Sequence, residues 1–245
     1  MRFQRGFTLI ELIMAMVVLA FISLGIGAFL QLGAQGYTDT VDRERLQSEA
    51  RFVVERLTRE LRHAAPNSVQ VSSGCLTFYP VSLAATYWQA PDASGQINVL
   101  VQPDAQTVAK WNQGVDGQRV AVGYTSATEY QNGAARVTQM NNSPTQAEPT
   151  ATLTVLPRLT DRSPGKRLYL YASSVSFCQQ GNLLLRRVEN EPAVTLTNKL
   201  NHFEAAAAGS GLNDNGLVHF EMTLTDPVSQ ESSDYSQSVQ VINVL

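Results

Sequence analysis

Gly6-Phe7-Thr8-Leu9-Ile10-Glu11 leads into a stretch with no further charge before Asp39, and its reading decides the fold. Residues 7–32 number about 26, which as a helix span roughly 39 Å at 1.5 Å per residue. The hydrocarbon core of a bilayer is roughly 30 Å thick. About 15 of these positions are Leu, Ile, Val or Phe, and together they favour insertion by roughly 7 kcal/mol. The single carboxylate, Glu11, opposes insertion by about 3 kcal/mol at a helix centre, and by less near the end where it lies. The apolar contribution wins, so a membrane-spanning helix is expected. Arg2 and Arg5 precede it and hold the short N-terminus in the cytoplasm by the positive-inside rule. The rest of the chain is then exported.

Two plainer readings compete. A cleavable secretory signal also has a basic start and an apolar centre, but its apolar region is shorter, free of charge and followed by an Ala-x-Ala-like site. A simple membrane anchor would leave Glu11 without a purpose. A carboxylate in lipid is expensive and calls for a partner.

The combination of basic leader, Gly6, Phe7, Glu11 and a long apolar helix resembles the start of type IV pilins and of type II secretion pseudopilins. The resemblance covers residues 6–66. It implies cleavage by a prepilin peptidase between Gly6 and Phe7, N-methylation of Phe7, and pairing of Glu11 with the Phe7 amine of a neighbouring subunit. The physics is compatible, because a buried carboxylate is tolerated when a counter-charge meets it. Glycine at position 6, having no side chain, lets a protease approach the backbone closely. The implied partners are other major and minor pilins, the peptidase and an inner-membrane assembly platform. The implied place is the inner membrane, with the head on the periplasmic side, and then a filament. Length, cysteine placement and the residues around 177–187 resemble the large minor-pilin group within that superfamily. A minor subunit of a surface pilus, a minor pseudopilin of a secretion apparatus, and a membrane-tethered enzyme or ligand-binding module all remain open. Retention of Glu11 implies docking beneath another subunit.

Beyond the anchor, Leu46, Ala50, Val53, Leu57, Leu61 and Ala64 recur at three- and four-residue spacing, one face of an amphipathic helix. Charged residues fill the other faces, and Glu55–Arg59 forms an i,i+4 pair. Gly25, Gly27, Gly33 and Gly36 lower helix propensity and mark an expected weak or partly melted stretch. Pro66 ends the helix. The expected organisation is a leader at 1–6, an assembly helix at 7–32, its amphipathic half at 33–65 and a β-rich head at 66–245.

In the head, alternating or continuous apolar runs predict strands near 69–71, 76–81, 120–124, 152–156, 167–171 and 218–224, with a closing strand at 239–244. Gln179-Gln180-Gly181-Asn182 reads as the turn of a hairpin between 174–178 and 183–188. Residues 90–98, 126–150 and 205–216 read as loops. The fold class is therefore α+β, a long N-terminal helix packed on an antiparallel sheet.

Cys75 and Cys178 both lie in the exported part, in strand-like settings, where disulfides persist. A bridge between them is expected, the alternative being two buried free thiols. The formal charge of the 245-residue chain is −3. Loss of Arg2 and Arg5 with the leader lowers it to −5. That balance argues against a general nucleic-acid binder, which would show a basic face. His63, His202 and His219 lack ligand spacing, and Asn213-Asp214-Asn215-Gly216 reads as a turn rather than a calcium loop. No nucleophile elbow, phosphate loop or dinucleotide fingerprint is present. No enzyme activity, catalytic residue, metal or cofactor is expected. Among Tyr87, Trp88 and Trp111, at least one is expected in the core and the others form a candidate contact surface.

Overall fold

The computed structural model describes residues 8–89, 91–208 and 216–241. Gly6, Phe7 and residues 213–215 and 242–244 lie outside the described residues. Helix α1 (Leu9–Leu61) is continuous over 53 residues, about 80 Å at 1.5 Å per residue. The weak stretch expected at the glycines is absent: the helix runs through Gly25, Gly27, Gly33 and Gly36 unbroken. The Thr38 and Thr40 hydroxyls each donate to a carbonyl one turn back, Gln35 at 2.8 Å and Gly36 at 2.7 Å. Such back-bonding satisfies the hydroxyls within the helix. The helix ends at Leu61 with Arg62 as its C-cap, short of the expected boundary at 65. Ala64 already bridges to Pro80, and the Ala65 N–H donates to the Tyr79 carbonyl at 2.7 Å.

Two sheets and a barrel follow. Strands β1 (Gln70–Ser72) and β2 (Cys75–Phe78) form a hairpin, and the chain then leaves their sheet. It builds β3 (Val81–Tyr87), β4 (Gln96–Leu100), α2 (Ala105–Asn112), β5 (Arg119–Ala121), α3 (Ala127–Asn132), β6 (Arg136–Met140), β7 (Thr150–Leu156) and β8 (Arg167–Tyr171). These six strands close into a barrel in the order β3-β4-β7-β6-β5-β8. The chain then returns as β9 (Val175–Gln180), β10 (Leu183–Val188) and β11 (Val194–Thr197), completing a five-stranded sheet, β1-β2-β9-β10-β11. Finally β12 (Leu200–Ala208), β13 (Gly216–Thr225) and β14 (Ser232–Val241) form a three-stranded sheet. Every named strand pair is antiparallel. The fold is α+β and pilin-like: a long apolar N-terminal helix, then an antiparallel head.

The helical stripe does what its spacing predicts. Leu46, Ala50, Val53, Leu57 and Leu61 are fully buried, and Ala64 nearly so. They pack on Leu76, Phe78, Phe177 and Leu184 of the five-stranded sheet and on Val218, Phe220, Met222 and Leu224 of β13. We call this unit the body. The alternation predicted for β13 buries those four residues and turns the residues between them away from the core. The predicted hairpin forms as β9–β10, its turn at Gly181-Asn182, with Gly181 at φ +59° supplying the left-handed conformation a two-residue turn needs.

Three segments expected as loops are partly regular. Residue Gln96 begins β4, residues 126–150 contain α3 and β6, and residues 205–208 continue β12. In β6, Arg-Val-Thr-Gln-Met buries only Val137 fully, so its composition reads as polar. Barrel closure supplies its partners: β7 on one side and β5 on the other. Likewise α3 is a single capped turn-and-a-half whose Glu129 carboxylate takes the Thr125 and Ser126 N–H groups.

Within the body, the Cys75–Cys178 disulfide joins β2 to β9 at a directly opposed pair, Cα–Cα 4.1 Å, at the end of that pairing away from Phe78 and Val175, where the chain leaves for the barrel and returns. At the junction of barrel and body, Tyr79, Tyr124, Tyr130 and Tyr171 form a ring cluster with centroids 5.0–5.7 Å apart. The Tyr130 hydroxyl donates to the Pro66 carbonyl at 2.6 Å, tying the cluster to the segment after α1. Burial raises the pKa of all four hydroxyls. Gly133 lies against this cluster: a Cβ there would collide with the Tyr171 hydroxyl.

Candidate assembly helix and its seat on the head

Buried residues of α1 begin at Leu46. The part before the first contact with the head, residues 9–41, projects from it by roughly 50 Å at 1.5 Å per residue. Its most apolar window has no residue buried, and Leu9, Met14, Phe21, Leu24, Phe29 and Leu32 are all exposed. The helix is long and apolar enough to cross a membrane. A helix apolar on every side is stable only where lipid or other helices surround it. The described chain supplies no cover for it.

Glu11 sits in the first turn, where it is the acidic residue of a capping box with Thr8. The Thr8 N–H lies 3.5 Å from Glu11 Oε2, a long contact. The carboxylate is thus near the positive end of the helix dipole, which stabilises an anion there. Glu11 is also the one Asp, Glu, Lys or Arg from residue 8 through Thr38. Gly6 and Phe7, the expected cleavage and methylation positions, lie just before the described residues.

The other half of α1 is clamped by charge as well as by burial. Arg43 donates to Glu231 at 2.8 Å, in the β13–β14 connection. The Thr197 hydroxyl donates to Glu49 at 2.6 Å, and Lys199 lies 3.7 Å from the same carboxylate. Lys199 also meets Asp226 at 2.7 Å. That ammonium, with the backbone N–H groups of Val228 and Ser229, lowers the Asp226 pKa to about 2. Nearer the end of α1, Arg186 reaches both oxygens of Glu60 at 2.9 and 3.0 Å, while Arg56 pairs with Glu60 along the helix. The pair forms one residue on from Glu55–Arg59, because Glu60 rather than Glu55 faces β10.

These clamp residues were not singled out from the sequence. The available signal was their position flanking the apolar stripe, where charged side chains border a packed face. Their partners, 126 to 188 residues away, have no local signature.

The histidines do not converge. His202 pairs with Glu204 at 3.6 Å, and His219 lies between Ser238 and Glu221 at 3.0 and 3.1 Å, on the exposed face of the three-stranded sheet. His63 lies apart, after the end of α1. Of the aromatic trio, Trp111 is fully buried, Tyr87 is buried, and Trp88 is 51% exposed.

The family profile described as the prokaryotic N-terminal methylation motif matches residues 1–27. The motif supports a type IV pilin-like family. It implies processing by a prepilin peptidase and assembly with other pilins, and it points to a structural subunit rather than an enzyme. The match ends within the uncovered half of α1, so the pilin-like head rests on the fold alone. No curated protein and no solved structure matches the chain.

Proposed function

We propose that the chain is a minor pilin-like subunit that primes or joins the assembly of a type IV surface pilus of the mannose-sensitive haemagglutinin (MSHA) type. In this reading it is a counterpart of the MshO-like group. A prepilin peptidase removes residues 1–6 and methylates the new amine of Phe7. Residues 7–32 hold the subunit in the inner membrane with the head in the periplasm, and the same helix then packs into the filament core through an inner-membrane assembly platform.

The observation that carries this reading is one carboxylate, Glu11, on an otherwise uncharged helix half that no part of the described chain covers. In a bundle of such helices, the neighbour's Phe7 ammonium is a counter-charge of the right sign at the right depth. The minor role is supported by the topology of the head. A six-stranded barrel is inserted between β2 and β9, and a shaft of many identical copies would need room for a barrel at every step.

Two measurements test the proposal. Mass spectrometry of the mature chain is expected to find N-methylated phenylalanine at Phe7; an intact leader would refute the processing step. Glu11→Ala is expected to lower incorporation into surface pili at least about tenfold, the equivalent of roughly 1.4 kcal/mol, with membrane insertion unchanged. Normal incorporation of that variant would remove the pairing role. Loss of protein secretion with intact pili would instead favour a pseudopilin of a type II secretion system.

A further inference from the structure

The last turns of α1 carry more positive charge than the fold consumes. Two open grooves flank the helix end, and both are lined by Arg59 and His63. Opposite the helix, one groove is walled by Gln237 of β14 and the other by Pro80, Val175 and Arg186. Together the linings hold four arginines, Arg56, Arg59, Arg62 and Arg186, against two carboxylates, Glu55 and Glu60. The chain as a whole has a net charge of −3, so this positive excess is a local feature.

The arginines fall into two sets. Arg56 and Arg186 both hold Glu60 through Nε, Arg186 at 2.9 and 3.0 Å from its two oxygens. Glu60 thus orients two guanidinium groups whose Nη donors make no hydrogen bond among the described residues. Arg59 and Arg62 are exposed, and their side chains make no hydrogen bond or ion pair among the described residues. Cations near a helix C-terminus ordinarily answer its dipole or bond its last carbonyls. Here the Thr58, Glu60 and Leu61 carbonyls already accept from the Arg62, His63 and Ala64 N–H groups, which leaves the side chains uncommitted.

An apolar residue continues the same helix face. Phe52, Glu55, Arg59 and Arg62 recur at three- and four-residue spacing, on the side of α1 away from the packed stripe. Phe52 is 54% exposed, and among the described residues it is the one large apolar side chain of α1 beyond Val41 left exposed.

This pairing of arginines with an exposed ring selects among anionic ligands. A lipid headgroup is out of reach, because Arg59 lies about 40 Å along the continuous helix from Leu32. At physiological salt a charge acts over only about 8 Å. Single-stranded nucleic acid stacks successive bases on several aromatic rings, and one exposed ring stands here. A protein segment matches both parts of the pattern. Its carboxylates meet guanidinium forks, and an apolar side chain beside them covers Phe52. Arginine next to an aromatic ring is also the composition that marks the centre of protein interfaces.

We infer that the end of α1, centred on Arg59 and Arg62 and extended by Phe52, docks an acidic segment of a partner protein with an apolar residue beside its carboxylates. The inference holds whether or not that partner is a pilin, so its failure leaves Phe7 methylation and the Glu11 role standing.

The test is fluorescence anisotropy of a labelled peptide of repeating Glu-Glu-Leu-Gly, titrated with the full chain in a neutral detergent. The control peptide carries Gln in place of Glu. Binding is expected for the acidic peptide alone and weakens as salt is raised. Arg59→Ala with Arg62→Ala is expected to weaken it about tenfold, and Phe52→Ala by less. Arg59→Lys with Arg62→Lys keeps part of the affinity, and Arg158→Ala on the exposed loop after β7 leaves it unchanged. Phe52, Arg59 and Arg62 are exposed, so an unchanged circular-dichroism spectrum is expected of each variant. Failure of the acidic peptide to bind overturns the inference. So does equal binding of the Gln peptide, or an equal loss on Arg158→Ala. Displacement by inorganic phosphate at a matched concentration of charge would make the site one for small anions and equally refute it.

Discussion

The body and the barrel are both antiparallel, and both have apolar interiors, but they are assembled from the chain in opposite ways. The body core gathers residues from Leu46 to Val241, so its two arms must meet across the whole barrel segment. The barrel core draws only on residues between Leu83 and Leu170, one continuous stretch. A unit whose contacts are local in sequence pays less loop-closure entropy than one that joins distant arms. The difference teaches that the barrel is an insertion into the body, and that the tyrosine cluster marks its root.

The largest expected effect tests that separation through the disulfide. Cys75→Ser with Cys178→Ser opens a loop with a sequence separation of 103. If body and barrel unfold together, the chain-entropy relation gives a loss of about 4–5 kcal/mol. If the barrel stays folded while the body opens, the free chain closed by the bridge is short and the loss falls to about 3 kcal/mol. Denaturant titration by two probes distinguishes these outcomes. Far-UV circular dichroism follows α1, and fluorescence of the buried Trp111 follows the barrel, since the body contains no tryptophan.

A second pair of substitutions attacks each core alone. Leu57→Ala on α1 and Leu153→Ala on β7 both remove a fully buried leucine and should each destabilise by about 2–5 kcal/mol. Leu57→Ala is expected to shift the circular-dichroism midpoint more than the Trp111 midpoint, and Leu153→Ala the reverse. Equal shifts of both probes by either variant would show one cooperative unit and end the comparison.

The smallest effects come from pH, and they point at opposite regions. Asp226 titrates at about 2 in the folded body, below its ordinary value of 3.8. Folding therefore gains stability from it above the ordinary value, and that gain is lost as pH falls from about 4 towards 2. Tyr130 and Tyr171 at the barrel root have pKa values raised by burial above the ordinary 10. Unfolded chains ionise these hydroxyls first, so their contribution is whole below pH 10 and is lost as pH rises beyond it. Acid is expected to move the circular-dichroism midpoint first, alkali the Trp111 midpoint. Asp226→Asn should flatten the acid limb and Tyr130→Phe the alkaline one. Either substitution flattening the other limb would contradict the assignment.

The candidate site was legible in proportion to how local its pattern is. The stripe Leu46 to Ala64 repeats every three or four residues, and a helix with one apolar face has one way to bury it. The run after Glu11 needs no tertiary context, since its length and apolarity already match a bilayer. Strands β13 and β8 and the β9–β10 hairpin were readable because alternation or a glycine turn marks them. By contrast, β6 and α3 were read as loop. Their polar residues face outward; β6 is made regular by pairing with strands that are neighbours only after the barrel closes, and α3 by the Glu129 cap and burial of Tyr130.

Sequence alone determined that α1 would be a helix with two different halves, that one half would need lipid or other helices around it, and that the head would be antiparallel. Those properties follow from period, length and the solvation of individual side chains. Tertiary structure alone decided that residues 81–171 close into a barrel hung from the β2–β9 pair. Only in the folded body do Glu60 and Glu49 meet Arg186 and Lys199. Ring closure and cross-strand register are long-range equilibria, set by which distant strands pair at the lowest entropic cost, and no window of neighbouring residues encodes them.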